Sequence, residues 1–375
     1  MVSRWIAGEP FSHEFTKSPT HQFSRILLVR LRRIGDVVLT TPAVRALRER
    51  YPDAHISYLV EPLAAPVVQR NPHLDEVIVA AAPDAPRRLW KDVALGLELR
   101  RRRFDLTIDF HGGPRSSWFT WVSRARARIG YEVAGRSWLY TIRVGRPRVL
   151  RARHTVENQW DLLEPLGIPR PRPETHPTEL LSEGGAAGAV DCWLRQQNID
   201  AGERLVLVHV GARIHFRRWP AEHFANAVAG IALADARARF AVIAGQDEDT
   251  AHLVVRTARD RLPPDRRAAV LDPRSWTLDE LHALADRAAL YIGADTGPLH
   301  VAGTTSVPIV GLYGPTLPET WAPWRAAGRV TIPLQIHGLP CRPCDQRVCE
   351  PGDFRCLTRI EPRQVVEAAI KCLGS

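Results

Sequence analysis

Short aliphatic, β-branched runs alternate with amphipathic helical stretches almost from end to end of this chain, and the alternation breaks only once. The first series of runs is Arg25–Arg30 (Arg-Ile-Leu-Leu-Val-Arg), His55–Val60, Glu76–Ala80 and Asp105–Phe110, with a helix predicted over Pro42–Arg50. The second is Leu205–Val210, Phe240–Ala244, Ala289–Ile292 and Pro308–Leu312, with helices predicted near 221–234, 250–262 and 278–288. Near-continuous apolar strands separated by helices imply parallel sheets buried on both faces. Between the series, Pro169, Pro171, Pro173 and Pro177, then Gly184 and Gly185, interrupt any regular element. At 375 residues the chain also exceeds one ordinary core. The expected fold is therefore α/β, with two doubly wound domains. The boundaries read as a polar N-terminal extension over 1–24, a first domain over 25–168, a proline-rich linker over 169–185 and a second domain over 186–375.

The formal charge is +10, and only Lys17, Lys91 and Lys371 among the 51 basic residues are lysines. That excess suits an acidic partner, whether phosphate or anionic lipid, or else a solvated basic surface. No aromatic–basic module of the nucleic-acid-binding kind accompanies it, so nucleic acid is not an expected partner. No stretch reaches the roughly 18 apolar residues of a membrane span. Residues 1–24 carry Glu9, His13, Glu14 and Lys17 and no apolar core, unlike a signal peptide. Four of the six cysteines crowd between 341 and 356 rather than forming a disulfide framework. The expected location is the cytoplasm.

In doubly wound sheets ligands bind beyond the carboxyl ends of strands. The loop after the first run is Leu31-Arg32-Arg33-Ile34-Gly35-Asp36. Gly35 permits close approach to the backbone. Asp36 reads either as a helix cap or as a carboxylate able to take a proton from a sugar hydroxyl. After Leu205–Val210, the stretch from His209 to Pro220 holds Arg213, Arg217, Arg218 and His215, a grouping suited to a diphosphate. After Ala289–Ile292 come Asp295, Thr296 and Gly297, with His300 one turn on. A fourth loop, Gly245–Asp249, offers Asp247 to ribose hydroxyls or to a helix N-terminus.

These loops carry a resemblance. The Arg30–Pro42 stretch is similar to the first motif of glycosyltransferase family 9, which includes the lipopolysaccharide heptosyltransferases. Asp295-Thr296-Gly297-Pro298-Leu299-His300-Val301-Ala302 resembles that family's donor signature. Arg218-Trp219-Pro220, Val307–Thr316, Ile108–His111 and His154–Glu157 resemble further segments in the right order. The resemblance covers about residues 25–372. It implies a GT-B-like pair of Rossmann-like domains facing a cleft, acceptor on the first and nucleotide sugar on the second. It implies inverting, metal-independent transfer of a heptose or related sugar from an ADP-linked donor to a phosphorylated, lipid-linked glycan, at or near the inner-membrane surface. Asp36 then stands at the general base. His209, Arg213, Arg217, Asp247, Asp295, Thr296, Gly297 and His300 fall to the donor, and Arg32, Arg33, Gly35 and Arg115 to the acceptor. Arg217 occupies a position where members commonly carry lysine, which alters how phosphate is gripped.

Two features stay open at this level. Cys341-x2-Cys344-x4-Cys349-x6-Cys356 permits a four-thiolate zinc or iron–sulfur centre, or simply reduced structural thiols. The Arg100–Arg103 run could meet a phosphorylated lipid or just solvate a helix end. Two rival functions remain to be weighed. A Rossmann dehydrogenase would need G-x-G-x-x-G after the first strand, and Arg32–Asp36 has no such spacing. A non-catalytic nucleotide-sugar or glycan-binding protein would have no use for Asp36 as a base.

Overall fold

The computed structural model describes residues 23–145, 153–200, 202–245 and 247–374. Residues 1–22 of the expected polar extension, and Gln246 of the fourth loop, lie outside them. The first sheet comprises β1 (Arg25–Arg30), β2 (His55–Val60), β3 (Glu76–Val79), β4 (Leu106–Asp109), β5 (Ala127–Tyr131) and β6 (Ile142–Val144), in the order β3-β2-β1-β4-β5-β6. The second comprises β7 (Arg204–His209), β8 (Ala238–Ile243), β9 (Leu290–Ala294), β10 (Ile309–Tyr313) and β11 (Thr331–Gln335), in the order β11-β10-β9-β7-β8. Every strand pair is parallel.

The apolar runs are continuous because each sheet is buried on both faces. Ile26 and Leu28 of β1 point into one cluster, whereas Leu27 and Val29 point into another under the helices Arg88–Arg101 and Pro114–Val122. In β7, Leu205 and Leu207 join the cluster of Ile26, while Val206 and Val208 face the helices Ala221–Ala234 and Pro362–Gly374. Each such side chain contributes about 1.5–3 kcal/mol on burial. One apolar cluster thus runs from β1 through Trp160, Leu162 and Leu163 to Leu205 and Tyr291, joining the two halves.

Three strands go beyond the sequence expectation: β5, β6 and β11. β6 has three residues, and β11 is a half-buried edge strand containing Pro333, so neither carries a sustained apolar run. The segment read as a linker is a strap rather than a spacer. Thr178 donates its hydroxyl to the Trp324 carbonyl (2.8 Å), and Trp324 Nε1 donates to the His176 carbonyl (2.8 Å). Glu179 N donates to Thr41 Oγ1 (2.9 Å), and the Glu179 carboxylate pairs with Arg45 (2.7 Å). Its backbone groups find partners on both halves instead of in a ladder. The helix Gly184–Gln196 starts inside the segment, so Gly184 and Gly185 open a helix rather than extend a loop.

His154-Thr155-Val156-Glu157 also serves this junction. His154 caps the helix Thr155–Trp160 through Nδ1, with Glu157 returning a bond to the His154 N–H. Its Nε2 lies 2.7 Å from the Ala322 carbonyl and its ring packs on Trp324. Among the described residues no helix is long and apolar enough to cross a membrane.

Candidate active site

Renumbered within each half, the sheet orders are 3-2-1-4-5-6 and 2-1-3-4-5, so strand order reverses between β1 and β4 and between β7 and β9. Those reversals open crevices at the strands' carboxyl ends. Three of the loops singled out from the sequence, after β1, β7 and β9, lie at these reversals.

Arg30 ends β1 with its guanidinium buried. It donates through Nη1 to the Phe110 carbonyl beyond β4 and through Nη2 to Asp36 Oδ1 at 2.6 Å. Asp36 is the third residue of the short helix Ile34–Val38, whose cap position is Arg33, and no side chain caps it. The capping reading of Asp36 therefore falls away. One carboxylate oxygen is oriented by Arg30, and among the described residues no hydrogen bond engages Oδ2. Gly35 packs directly against the second half: a Cβ there would stand 2.6 Å from His300 Cδ2. On the other side, a Cβ at Gly297 would lie 3.2 Å from Ile34 Cβ. Asp36 thus sits where the first half touches the second.

The cations gather at the same place. The Arg213 guanidinium is pushed below its ordinary value by partial burial and by the charges of Arg33 and Arg217 facing it. Among the described residues neither Arg33 nor Arg213 has an ion-pair partner. Arg217 is held from two sides, with Nη1 on the Asp295 carbonyl (2.8 Å) and Nε on Gln346 Oε1 (2.8 Å). Mutual repulsion among guanidiniums contributed by both halves is the electrostatic setting that an anion relieves.

Asp295 lies beneath this cluster, its side chain 2% exposed. Burial pushes its carboxyl up, but His300 Nε2 at 3.3 Å and Arg217 at 3.5 Å more than compensate, and the net shift is downward. The Thr316 hydroxyl adds to this lowering. Thr296 is the cap residue of the helix Gly297–Gly303, its hydroxyl 3.3 Å from the Ala294 carbonyl. Asp247 precedes the helix Glu248–Asp260, accepts from Thr250 (2.8 Å) and faces Arg218 at 3.6 Å.

Two sequence-selected residues are placed otherwise than a ligand contact would need. Arg115 is engaged by Asp92 through Nε (2.9 Å) and Nη2 (2.6 Å), by the Ala81 carbonyl (2.7 Å) and by Glu61 at 3.6 Å, as a brace between helices. His209 is buried at the end of β7, and desolvation pushes its pKa down to about 4, so it adds no charge to the cluster. Arg32 is exposed. Arg30 and Gln346 were not evident beforehand. The signal for Arg30 was an arginine closing an otherwise apolar buried strand. Gln346 had none, since only the fold brings it to Arg217.

The four cysteines are free and half-buried, and among the described residues no group of three or more His, Cys, Asp or Glu side chains could hold a metal ion. The expectation of a zinc or iron–sulfur centre at Cys341, Cys344, Cys349 and Cys356 is not sustained. Cys344 Sγ instead accepts the Gln346 N–H at 3.3 Å, and burial pushes the Cys356 thiol up, toward the protonated form. The segment acts by packing: Phe354 stacks edge-on against His215 and Phe216, both at 5.3 Å.

His154 and His209 give a pH prediction. Burial, and for His154 also nearby His300, pushes both pKa values from 6.5 to about 4. The unfolded chain then binds more protons than the folded one between those values, so stability is complete above about pH 6.5 and falls toward pH 4. Each histidine contributes on the order of 3 kcal/mol over that window. Denaturant titrations across it should show the loss, and His209→Gln should shrink it by about half; a flat profile would contradict the burial argument.

The chain is built as two parallel-sheet, Rossmann-like halves that touch at Gly35 and Gly297. The model of glycosyltransferase family 9 (heptosyltransferase) matches residues 93–352, and the chain belongs to this family. It is a glycosyltransferase. It is 27% identical over 305 residues to lipopolysaccharide heptosyltransferase 3 of Escherichia coli (strain K12), covering 78% of this chain and 83% of that one. Among solved structures, a family 9 glycosyltransferase from Veillonella parvula superposes with a TM-score of 0.79 at 24% identity, covering 93% and 97% of the two chains. The E. coli heptosyltransferase WaaC with ADP-2-deoxy-2-fluoro heptose superposes with a TM-score of 0.63 at 20% identity, covering 92% and 99%. The shared architecture is GT-B-like, two Rossmann-like domains facing each other.

Proposed function

We propose that this enzyme transfers a heptose or closely related sugar from an ADP-linked donor to a lipopolysaccharide core or similar glycan, with inversion and without a metal ion. The relatives' names supply the sugar and acceptor class, and WaaC's bound analogue supplies the nucleotide. The observation that carries the mechanism is that Asp36, held by Arg30, lies in the same β1 loop as Arg33, whose charge acts with that of Arg217 on Arg213.

In this reading Asp36 Oδ2 accepts the proton of the acceptor hydroxyl as that oxygen attacks the anomeric carbon. The bond from that carbon to the diphosphate oxygen breaks on the opposite face, and ADP departs with the electron pair. A single displacement of this kind inverts the anomeric centre. The guanidiniums stabilise the charge gathering on the diphosphate, the task that a divalent ion performs elsewhere. Asp295 and His300 act beneath the donor loop by orienting Arg217, with Thr296 and Gly297 at the loop's turn and Asp247 at the ribose end. Arg32 and Gly35 line the acceptor side. His209 supports the strand end from beneath. Arg115 stays a brace. The acceptor is a phosphorylated, lipid-linked glycan, so the enzyme works against the inner-membrane surface.

Nucleotide choice is tested by thermal denaturation with ADP, UDP and GDP. ADP at about a hundred times its dissociation constant should add roughly 2.7 kcal/mol, with EDTA changing neither binding nor transfer. Stabilisation by UDP or GDP but not ADP would overturn the donor assignment, and loss of transfer in EDTA the metal-independent mechanism.

A further inference from the structure

We propose that the outer face of the helix Arg88–Arg101 docks the enzyme onto an anionic lipid surface. The inner face of this helix is already spent on the fold: Leu99 is buried on the first sheet with Leu95 packed beside it, and Asp92 holds Arg115. Gly96 lets the neighbouring helix Pro114–Val122 approach so closely that a Cβ would stand 2.5 Å from Trp118 Cη2. The outer face of a helix on a protein surface is normally polar. Here it presents Leu89 (71% exposed), Trp90 (77%), Val93 (45%) and Leu97 (47%). Their spacing of three, four, seven and eight residues places them on one stripe along the helix. Trp138, 63% exposed, stands at the edge of the neighbouring helix against Trp121, with the Arg124 guanidinium over the Trp121 ring.

Charge selects the occupant. Residues 87–103 hold seven basic side chains (Arg87, Arg88, Lys91, Arg100, Arg101, Arg102 and Arg103) against Asp92 and Glu98. Asp92 is neutralised by Arg115, and Glu98 by Arg102, which also pairs with Glu76; among the described residues the other six basic side chains have no carboxylate partner. A second copy of the chain would bring the same basic face against itself and be repelled. An anionic headgroup layer attracts the arginines and lysine while accepting leucine and tryptophan to shallow depth, as an interfacial helix requires. Exposed tryptophans suit the headgroup level. The Arg100–Arg103 run thereby gains a role as the basic end of this face rather than a solvated helix end.

The lipid-borne acceptor of the proposed function gives the surface its purpose, so this inference rests on that reading for its meaning. Vesicles without any glycan test it separately. The full-length protein should co-sediment with vesicles containing phosphatidylglycerol, release in high salt, and bind weakly to phosphatidylcholine alone. The double substitution Trp90→Ser, Leu97→Ser should lower the partition coefficient roughly tenfold or more, with unchanged melting temperature and unchanged transfer to a soluble, delipidated acceptor. Equal sedimentation of both proteins would overturn the proposal, as would no sedimentation of either. So would a dimer in solution that the double substitution abolishes, which would assign the stripe to a second copy. A wild-type protein that binds these vesicles yet transfers no heptose would refute the proposed function and leave the docking surface intact.

Discussion

Asp36→Asn should fold, bind ADP as the parent does, and lose sugar transfer by about 10²–10⁴-fold, the contribution of a positioned general base. The amide keeps an oxygen to accept from Arg30 Nη2, so the geometry of the 2.6 Å contact survives while basicity is lost. Removing the charge leaves the Arg30 guanidinium with the Phe110 carbonyl and a neutral amide. Because Asp36 is partly solvated, a loss of about 1–2 kcal/mol in stability is the expected accompaniment. Donor affinity should hold, because the donor loops belong to the second sheet. Steady-state transfer rates, with calorimetric ADP binding on the same preparations, separate these effects. Transfer within a few-fold of the parent would remove Asp36 from the chemistry.

Arg217→Ala should act on the other partner. Charge-assisted hydrogen bonds are worth about 1.5–3 kcal/mol, which predicts a rise of roughly 10- to 150-fold in the ADP dissociation constant. Transfer should fall further than affinity if Arg217 also meets the charge developing on the departing diphosphate. Arg217→Lys should restore affinity only in part. The arginine fork spans the Asp295 carbonyl and Gln346 at once, and an ammonium cannot reproduce that plane. An unchanged ADP dissociation constant in Arg217→Ala would mean that the cation cluster does not hold the diphosphate.

What could be read from the sequence followed from burial. Strands such as β1 and β7, with apolar side chains on both faces, announce themselves as unbroken aliphatic runs. β5, β6 and β11 lie toward sheet edges, where half-burial, Arg128 or Pro333 dilutes the pattern. The loops at the strand-order reversals were legible because glycine, arginine and carboxylate side chains concentrate there. Which of those side chains face a ligand was not legible. His209, read with Arg213 on the donor side, is buried by the fold, and Arg115, read on the acceptor side, is paired with Asp92. Gln346 lies 129 residues from Arg217, and no local spacing could join them. The cysteine spacing was compatible with a metal site, but among the described residues no group of three or more His, Cys, Asp or Glu could hold one.

Heptose transfer is measured by incubating the purified enzyme with ADP-heptose and a lipopolysaccharide lacking its heptoses, with EDTA present, and following both ADP release and the mass of the acceptor. Stoichiometric ADP, an acceptor heavier by one heptose residue, and an inverted anomeric centre in the product are expected. An acceptor left unmodified while another nucleotide sugar is transferred, or a product of retained configuration, would contradict the proposed function.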